Sequence, residues 1–94
     1  LPSLSELLET SLPEAIEEDI KKTAAAVPGV EDIHNLQTRR NGISFIIDAH
    51  VVVDPTISVV QAHDIATAVE DALRAKYGTE TQISIHIEPG REAK

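Results

Sequence analysis

Hydrophobic and polar residues alternate along the stretch from Ile83 to Pro89, near the C-terminus. Isoleucine occupies every second position, and serine, histidine and glutamate occupy the positions between. This two-residue period is typical of a β-strand with one buried side and one solvent-facing side. Proline has no N–H to donate to a neighbouring strand, so Pro89 is predicted to end the strand.

A longer alternating stretch runs from Ile43 to Val53 and predicts a second strand. One set of residues is expected to face the core: Ile43, Phe45, Ile47, Ala49, Val51 and Val53. The other set is expected on the opposite side: Ser44, Ile46, Asp48, His50 and Val52. The segment from Val30 to Arg39 reads as a less regular strand. Arg40-Asn41-Gly42 then predicts a hairpin turn, since Asn-Gly is a strong hairpin signal.

Two segments have the period of amphipathic helices. The first opens with Pro13 at its first helical position and stops at Val27-Pro28-Gly29, which cannot continue a helix. Its apolar stripe comprises Ile16, Ile20, Ala24 and Val27. The second runs from a capping box at Ser58–Gln61 to Gly78. Its expected buried stripe comprises Val59, Ala62, Ile65, Ala66, Val69 and Leu73.

A further capping box at Ser3–Glu6 predicts a short leading helix within residues 1–12. After this leader the predicted order is αββαβ. Such an order predicts an α+β, ferredoxin-like fold without its first strand, in which two helices cover one face of a small three-stranded sheet. The other face is left open. Because that face mixes apolar and polar side chains, it is expected to meet either solvent or a second copy of the domain.

The composition narrows the classes of function. The 94-residue chain is 41% hydrophobic and carries a formal net charge of −8 with histidine neutral. An acidic surplus argues against binding to nucleic acid, which attracts lysine and arginine, and is compatible with binding cations. The chain has no cysteine, which excludes disulfides, thiolate nucleophiles and cysteine-type zinc sites. No apolar run approaches the length of about 20 residues that a membrane-spanning helix needs.

The open face carries the residues best suited to bind a metal. His86 and Glu88 are two positions apart on one strand, about 6–7 Å along it, so both can reach one divalent ion such as zinc. Asp48 and His50 are predicted to share that face. Each histidine taken singly is more often a surface or hydrogen-bonded residue than a ligand.

Four stretches in order, the first of them in two parts, resemble the cytoplasmic C-terminal domain of cation diffusion facilitator transporters. Val27–Val30 and Ile33–Arg40 are similar to that family's PGV and hDLRTRRxG patterns, and Ile85–Pro89 is similar to its closing hHhEP strand. Asp48–Pro55 resembles its long strand, and Ser58–His63 resembles the opening of its second helix. The resemblance covers about residues 4–89.

This resemblance implies a metallochaperone-like domain that forms a homodimer at the cytoplasmic face of the membrane, below the transmembrane domain of the same zinc (or other divalent metal) exporter. The implied metal ligands are His34, His50, His63, His86 and Glu88, with Glu88 able to bridge two ions. The family often has aspartate at this last position, so the longer Glu88 alters the bridging geometry. Asp48 is an additional candidate oxygen ligand.

The same resemblance implies a domain organisation. Residues 1–12 would connect to the membrane domain, residues 13–89 would form the metal-binding regulatory domain, and residues 90–94 would be a tail. Two other functions stay open at this point. One is a metal-free ferredoxin-like module for ligand binding or oligomerisation. The other is a small metal-dependent hydrolase with Glu88 as base, which the chain supports poorly because no activated nucleophile or glycine-rich phosphate loop is evident.

Overall fold

The computed structural model describes residues 11–91, which form two helices and three strands. Their bounds are Glu14–Ala25 (α1), Asp32–Asn41 (β1), Ser44–Val53 (β2), Val59–Tyr77 (α2) and Gln82–Pro89 (β3). This order confirms the predicted αββαβ, ferredoxin-like arrangement. The predicted leading helix lies outside the described residues.

Local hydrogen bonds set the ends of α2. The Gln61 N–H donates to the Ser58 hydroxyl oxygen at 3.0 Å, and the Ser58 N–H donates to the Gln61 side-chain oxygen at 2.9 Å. These bonds form the predicted capping box and satisfy donors that the first helical turn leaves free. Gly78 ends the helix with a φ of 108°, which glycine adopts without steric cost.

The first helix follows its predicted stripe but begins one residue later than expected. Pro13 has an extended ψ of 146° and therefore flanks α1 as its N-cap. Glu14 and Glu17 lie in the first turn, where carboxylates complement the positive end of the helix. Ile20 and Ala24 are buried. The helix is thus anchored by two residues one turn apart on its apolar side.

The three strands form one mixed sheet in the order β1-β2-β3. β1 and β2 pair antiparallel, and β2 and β3 pair parallel. A parallel neighbour needs a long crossover connection, which α2 supplies. β2 is therefore the central strand, and β1 and β3 are the two edges.

The hairpin turn lies one residue later than predicted. Asn41 belongs to β1 and pairs with Ser44, so the loop consists of Gly42 and Ile43. Gly42 has a φ of 64° at the first loop position, a conformation that favours glycine. The expectation that Ile43 faces the core is wrong. Because the side chain sits at the tip of the hairpin, it is 93% exposed.

Both helices pack against one face of the sheet. The core brings together side chains of both helices and the central strand: Ile20, Ala24, Ile47, Val51, Val53, Val69 and Leu73. One predicted member of the α2 stripe is misplaced. Val59, the first residue of α2, is 86% exposed, whereas Val69 is fully buried further along the helix. Among the described residues, neither helix is long and apolar enough to cross a membrane.

Leu12 belongs to this core although the sequence predicts it to be the last residue of the connector. Its side chain is 3% exposed, and its N–H donates to the Thr38 hydroxyl oxygen at 3.1 Å. The Thr38 hydroxyl in turn donates to a Glu17 carboxylate oxygen. This chain of bonds joins the entry to α1 to the edge strand β1, so the packed unit already includes residue 12.

Two valines of α2 allow a matched test of this packing. Val69→Ala is expected to lower the free energy of unfolding by about 2–3 kcal/mol, because it removes buried carbons and leaves a cavity. Val59→Ala makes the same change on the same helix at an exposed position, and a change of about 0.5 kcal/mol or less is expected. Urea unfolding followed by circular dichroism measures both. Equal losses would show that α2 packs through its first turn.

Candidate metal centre

Each strand presents one carboxylate and one histidine, two positions apart, on the sheet face away from the helices. The pairs are Asp32 and His34 on β1, Asp48 and His50 on β2, and His86 and Glu88 on β3. Residues two apart on a strand point to the same side. The sheet therefore gathers six possible metal ligands on one surface.

The strand registers place three of these side chains in one row across the sheet. His50 is the Cα partner of His34 on one side and of His86 on the other. The rings of His50 and His86 stack, with their centroids 4.8 Å apart. This row confirms that His50 and His86 share the open face, as the alternation predicts, and adds His34 to it.

The carboxylates flank the histidine row on its two sides. Asp32 and Glu88 both pair with Val52, so they lie in the row next to the histidines. Asp48 is two residues before His50 on β2 and lies on the opposite side of the row. β1 runs antiparallel to β2, and on β3 the histidine precedes the carboxylate. Asp32 and Glu88 therefore lie on one side of the histidine row, and Asp48 lies on the other.

A β-bulge in β1 decides which of its residues reach this face. From His34 to Gln37, β1 advances by three residues while the paired segment of β2, from His50 to Asp48, covers only two. Asn35 in the bulge has a φ of 51°, a left-handed conformation that asparagine tolerates better than most residues. Leu36 packs against the core. Without the extra residue, Leu36 would share the face of His34.

Asp48, His50 and His86 form one compact group of possible ligand atoms. One ligand atom from each residue can be chosen so that all three lie within 4.8 Å of one another. The His86 Nε2 atom is 3.3 Å from the Asp48 Oδ1 atom. Asp48, which the sequence suggests only as an additional ligand, is thus a central member of this group.

A second group forms around Glu88. Its Oε1 atom is 3.2 Å from His50 Nδ1 and 3.8 Å from His34 Nδ1. His50 therefore belongs to both groups. The spacing of His86 and Glu88 predicts one shared ion, but the structure directs His86 towards Asp48 and Glu88 towards His50 and His34.

Two atoms of the second group are buried without a hydrogen bond. His50 Nδ1 and Glu88 Oε1 have no hydrogen-bond partner among the described residues, and their 3.2 Å approach to each other does not have hydrogen-bond geometry. A buried polar atom without a partner costs free energy. A cation placed between the two atoms would satisfy both.

The separations between ligand atoms suit a tetrahedral ion. Zinc bonds of about 2.0–2.2 Å hold neighbouring ligand atoms about 3.3–3.6 Å apart. The contacts of 3.2, 3.3 and 3.8 Å lie at or near this range. Imidazole nitrogen and carboxylate oxygen are also donors that zinc accepts. The residues present therefore fit a divalent transition metal.

Asp32 is the member of the constellation that sequence reasoning missed. Its Oδ2 atom accepts a hydrogen bond from His34 Nε2 at 2.9 Å. The hydrogen bond from the Ile33 N–H, followed by that from His34, holds the pKa of Asp32 below its usual value. The signal was available, because Asp32 and His34 have the same two-residue spacing as His86 and Glu88.

His63 does not join the other predicted ligands within one chain. It is an exposed residue in the second turn of α2. Both helices pack on the face of the sheet opposite to the histidine row. The single chain therefore brings together four of the five predicted ligands: His34, His50, His86 and Glu88.

Comparison with known proteins agrees with this fold and these motifs. The model for the cytoplasmic domain of cation efflux proteins matches residues 12–90. The chain is 36% identical over 87 residues to metal tolerance protein C1 of Arabidopsis thaliana, covering 93% of this chain and 18% of that protein. It is 32% identical over 87 residues to the cation-efflux pump FieF of Klebsiella pneumoniae, covering 93% of this chain and 29% of that protein. The chain thus spans less than a third of these relatives.

Solved structures show the same fold. A nickel form of a MamM CTD variant superimposes with a TM-score of 0.78 at 30% sequence identity, covering 84% of this chain and all of that one. A second MamM CTD variant matches with a TM-score of 0.77 at 32% identity, covering 82% of this chain and 96% of that one. The resemblance indicated by the sequence motifs is therefore confirmed. The chain belongs to the family of cation efflux protein cytoplasmic domains.

Proposed function

We propose that this domain regulates a divalent-cation efflux transporter by binding metal ions, zinc foremost, on its open sheet face and by forming a homodimer. The observation that carries the proposal is the pair of buried atoms, His50 Nδ1 and Glu88 Oε1, which face each other at 3.2 Å without a hydrogen bond. Family membership supports a role in transport or its regulation and not in catalysis.

The assignment of ligands follows the two groups. His34, His50 and Glu88 would hold one ion, and Asp48 with His86 would contribute to a second. A neutral imidazole has one free lone pair, so His50 serves one ion at a time. A carboxylate has two oxygens, which allows Glu88 to bridge two ions. The absence of cysteine favours a site from which metal can be released, because thiolates would hold zinc more tightly.

His63 would act in a second copy of the chain. It follows the exposed Val59 by four positions and Val60 by three, so the three side chains neighbour one another on α2. Val59 is 86% exposed and Val60 is 69% exposed. A dimer in which this part of α2 packs against the open sheet face of the other subunit would cover these valines. It would also bring His63 to that subunit's metal centre and complete the set of five predicted ligands.

The negative charge of the open sheet face would make dimer formation depend on metal binding. Asp32, Asp48 and Glu88 place three carboxylates on one face of a chain whose formal net charge is −8. Two such faces repel each other when no cation is bound. A divalent ion neutralises part of this charge and therefore favours the approach of a second subunit. Metal concentration would in this way control the fraction of the domain that is dimeric.

Calorimetric titration of the 94-residue chain with zinc, nickel and magnesium tests the proposal. Zinc and nickel are expected to bind saturably. Magnesium is expected to bind weakly, because it prefers an all-oxygen octahedral site.

Sedimentation should show more dimer with zinc, and His63→Ala should weaken zinc binding only at protein concentrations at which the dimer forms. A dimer that binds no zinc would favour the metal-free oligomerisation module.

A further inference from the structure

Asp32 uses both of its carboxylate oxygens at the start of β1. Its Oδ1 atom accepts a hydrogen bond from the Ile33 N–H at 2.8 Å. Its Oδ2 atom accepts one from His34 Nε2 at 2.9 Å. The backbone bond fixes the orientation of the carboxylate, so the second oxygen offers His34 an acceptor in a defined place.

This contact determines where the proton of a neutral His34 resides. An ionised carboxylate can only accept hydrogen bonds, so the nitrogen facing it must carry the proton. In the neutral ring the other nitrogen, Nδ1, then keeps its lone pair. That atom is directed to Glu88, whose Oε1 is 3.8 Å away.

We infer that Asp32 is a positioning residue of the metal centre, which holds His34 with its proton on Nε2 and its Nδ1 lone pair directed at the ion shared with Glu88. Carboxylates that orient metal-binding histidines through the second ring nitrogen are a general device of metal sites. The consequence for metal affinity rests on the proposed function, whereas the placement of the proton does not.

His34 depends on such a partner more than His50 does. It lies on the edge strand β1 directly before the bulge, and its side chain is 51% exposed. The His50 side chain lies on the central strand and is 33% exposed. An exposed ring at an edge loses more rotational freedom when it binds an ion, and the bond to Asp32 removes part of that cost before the ion arrives.

Asp32→Asn is the direct test, because the amide offers one acceptor where the native residue offers two. If its oxygen keeps the bond from the Ile33 N–H, its NH₂ group faces His34 Nε2 and favours the tautomer with the proton on Nδ1. Asp54→Asn is the matched control. It removes the same charge from an exposed carboxylate in the turn after β2, whose only hydrogen-bond partner within residues 11–91 is Thr56.

The first measurement uses metal-free protein. The ring ¹⁵N shifts of His34, recorded by NMR at a pH at which the ring is neutral, should show the proton on Nε2 in the parent and in Asp54→Asn. A clear shift of the population towards Nδ1 is expected in Asp32→Asn. The same tautomer distribution in all three proteins would overturn the inference.

The second measurement is zinc affinity by calorimetry. Asp32→Asn is expected to weaken binding about 10-fold to 100-fold, the usual cost of losing a partner of a metal-binding histidine. In a His34→Ala background it should have no further effect. An equal loss in that background would show that Asp32 acts as a ligand or through its charge, which overturns the positioning role. A parent that binds no zinc would refute the proposed function and leave the NMR result to decide the placement of the proton.

Discussion

His50→Ala is expected to remove most of the zinc binding of this domain. His50 belongs to both groups of ligand atoms: it lies with Asp48 and His86 in one, and its Nδ1 atom is 3.2 Å from Glu88 in the other. Without the imidazole, each group keeps only two ligands from the same chain, His34 with Glu88 and Asp48 with His86, whichever ion His50 serves. Calorimetry should show a loss of at least about 100-fold in affinity, since second-sphere changes alone cost about 10-fold to 100-fold.

Two controls separate this effect from a general loss of structure. Ser84→Ala changes the same open face and pairs across the sheet with Asp48, but it removes no predicted ligand. It should bind zinc as the parent does. Metal-free His50→Ala should unfold in urea close to the parent, because its side chain points away from the core. Zinc binding at the parent's affinity and stoichiometry in His50→Ala would refute the metal centre.

Zinc affinity is expected to fall about 100-fold between pH 7.5 and pH 5.5. A protonated imidazole cannot bind a metal, so protons compete with zinc as the pH falls. The pKa of a free imidazole side chain in solution is about 6.5, which lies within this range of pH. Proton competition at each imidazole ligand is expected to lower the zinc affinity about tenfold over this range, so two such ligands lower it about 100-fold.

The dependence on pH can be assigned to histidine by comparing variants. Calorimetry or a competing zinc dye at several pH values gives the slope of log affinity against pH. His34→Ala should lower the affinity and also reduce this slope, because one competing imidazole is gone. Glu88→Gln should weaken binding and leave the slope nearly unchanged over this range, since it removes no imidazole ligand. A flat profile in the parent would exclude histidines as the main ligands.

The sequence largely predicts which side chains of the central strand face the core and which face away from it. Alternation along β2 predicts that Ile47 and Val51 face the core while Asp48 and His50 face away from it, and the structure confirms this division. The reason is that the two-residue period of a strand is a local property of the backbone. Ser58 was identified in the same way, because a capping box needs only four consecutive residues.

The composition of the candidate site was predictable only in part. The motifs singled out His34, His50 and His86, and the structure places them in one row. They did not show that Glu88 faces His34 and His50. A contact between strands depends on the register, and register arises from pairing residues that are distant in the chain. The bond between Asp32 and His34 lies within β1 and was missed, although their two-residue spacing was visible in the sequence.

The sequence by itself determined the order of the elements, the buried sides of β2 and β3, and the histidine and carboxylate residues that these two strands carry on the open face. Only the tertiary structure decided the bulge at Asn35, the exposed positions of Ile43 and Val59, and the buried contact between His50 and Glu88. The bulge and the contact depend on the pairing of strands that are distant in the chain. Ile43 and Val59 lie next to or at the start of an element. Side-chain periodicity continues to the end of an element, but burial stops where the neighbouring element no longer covers it.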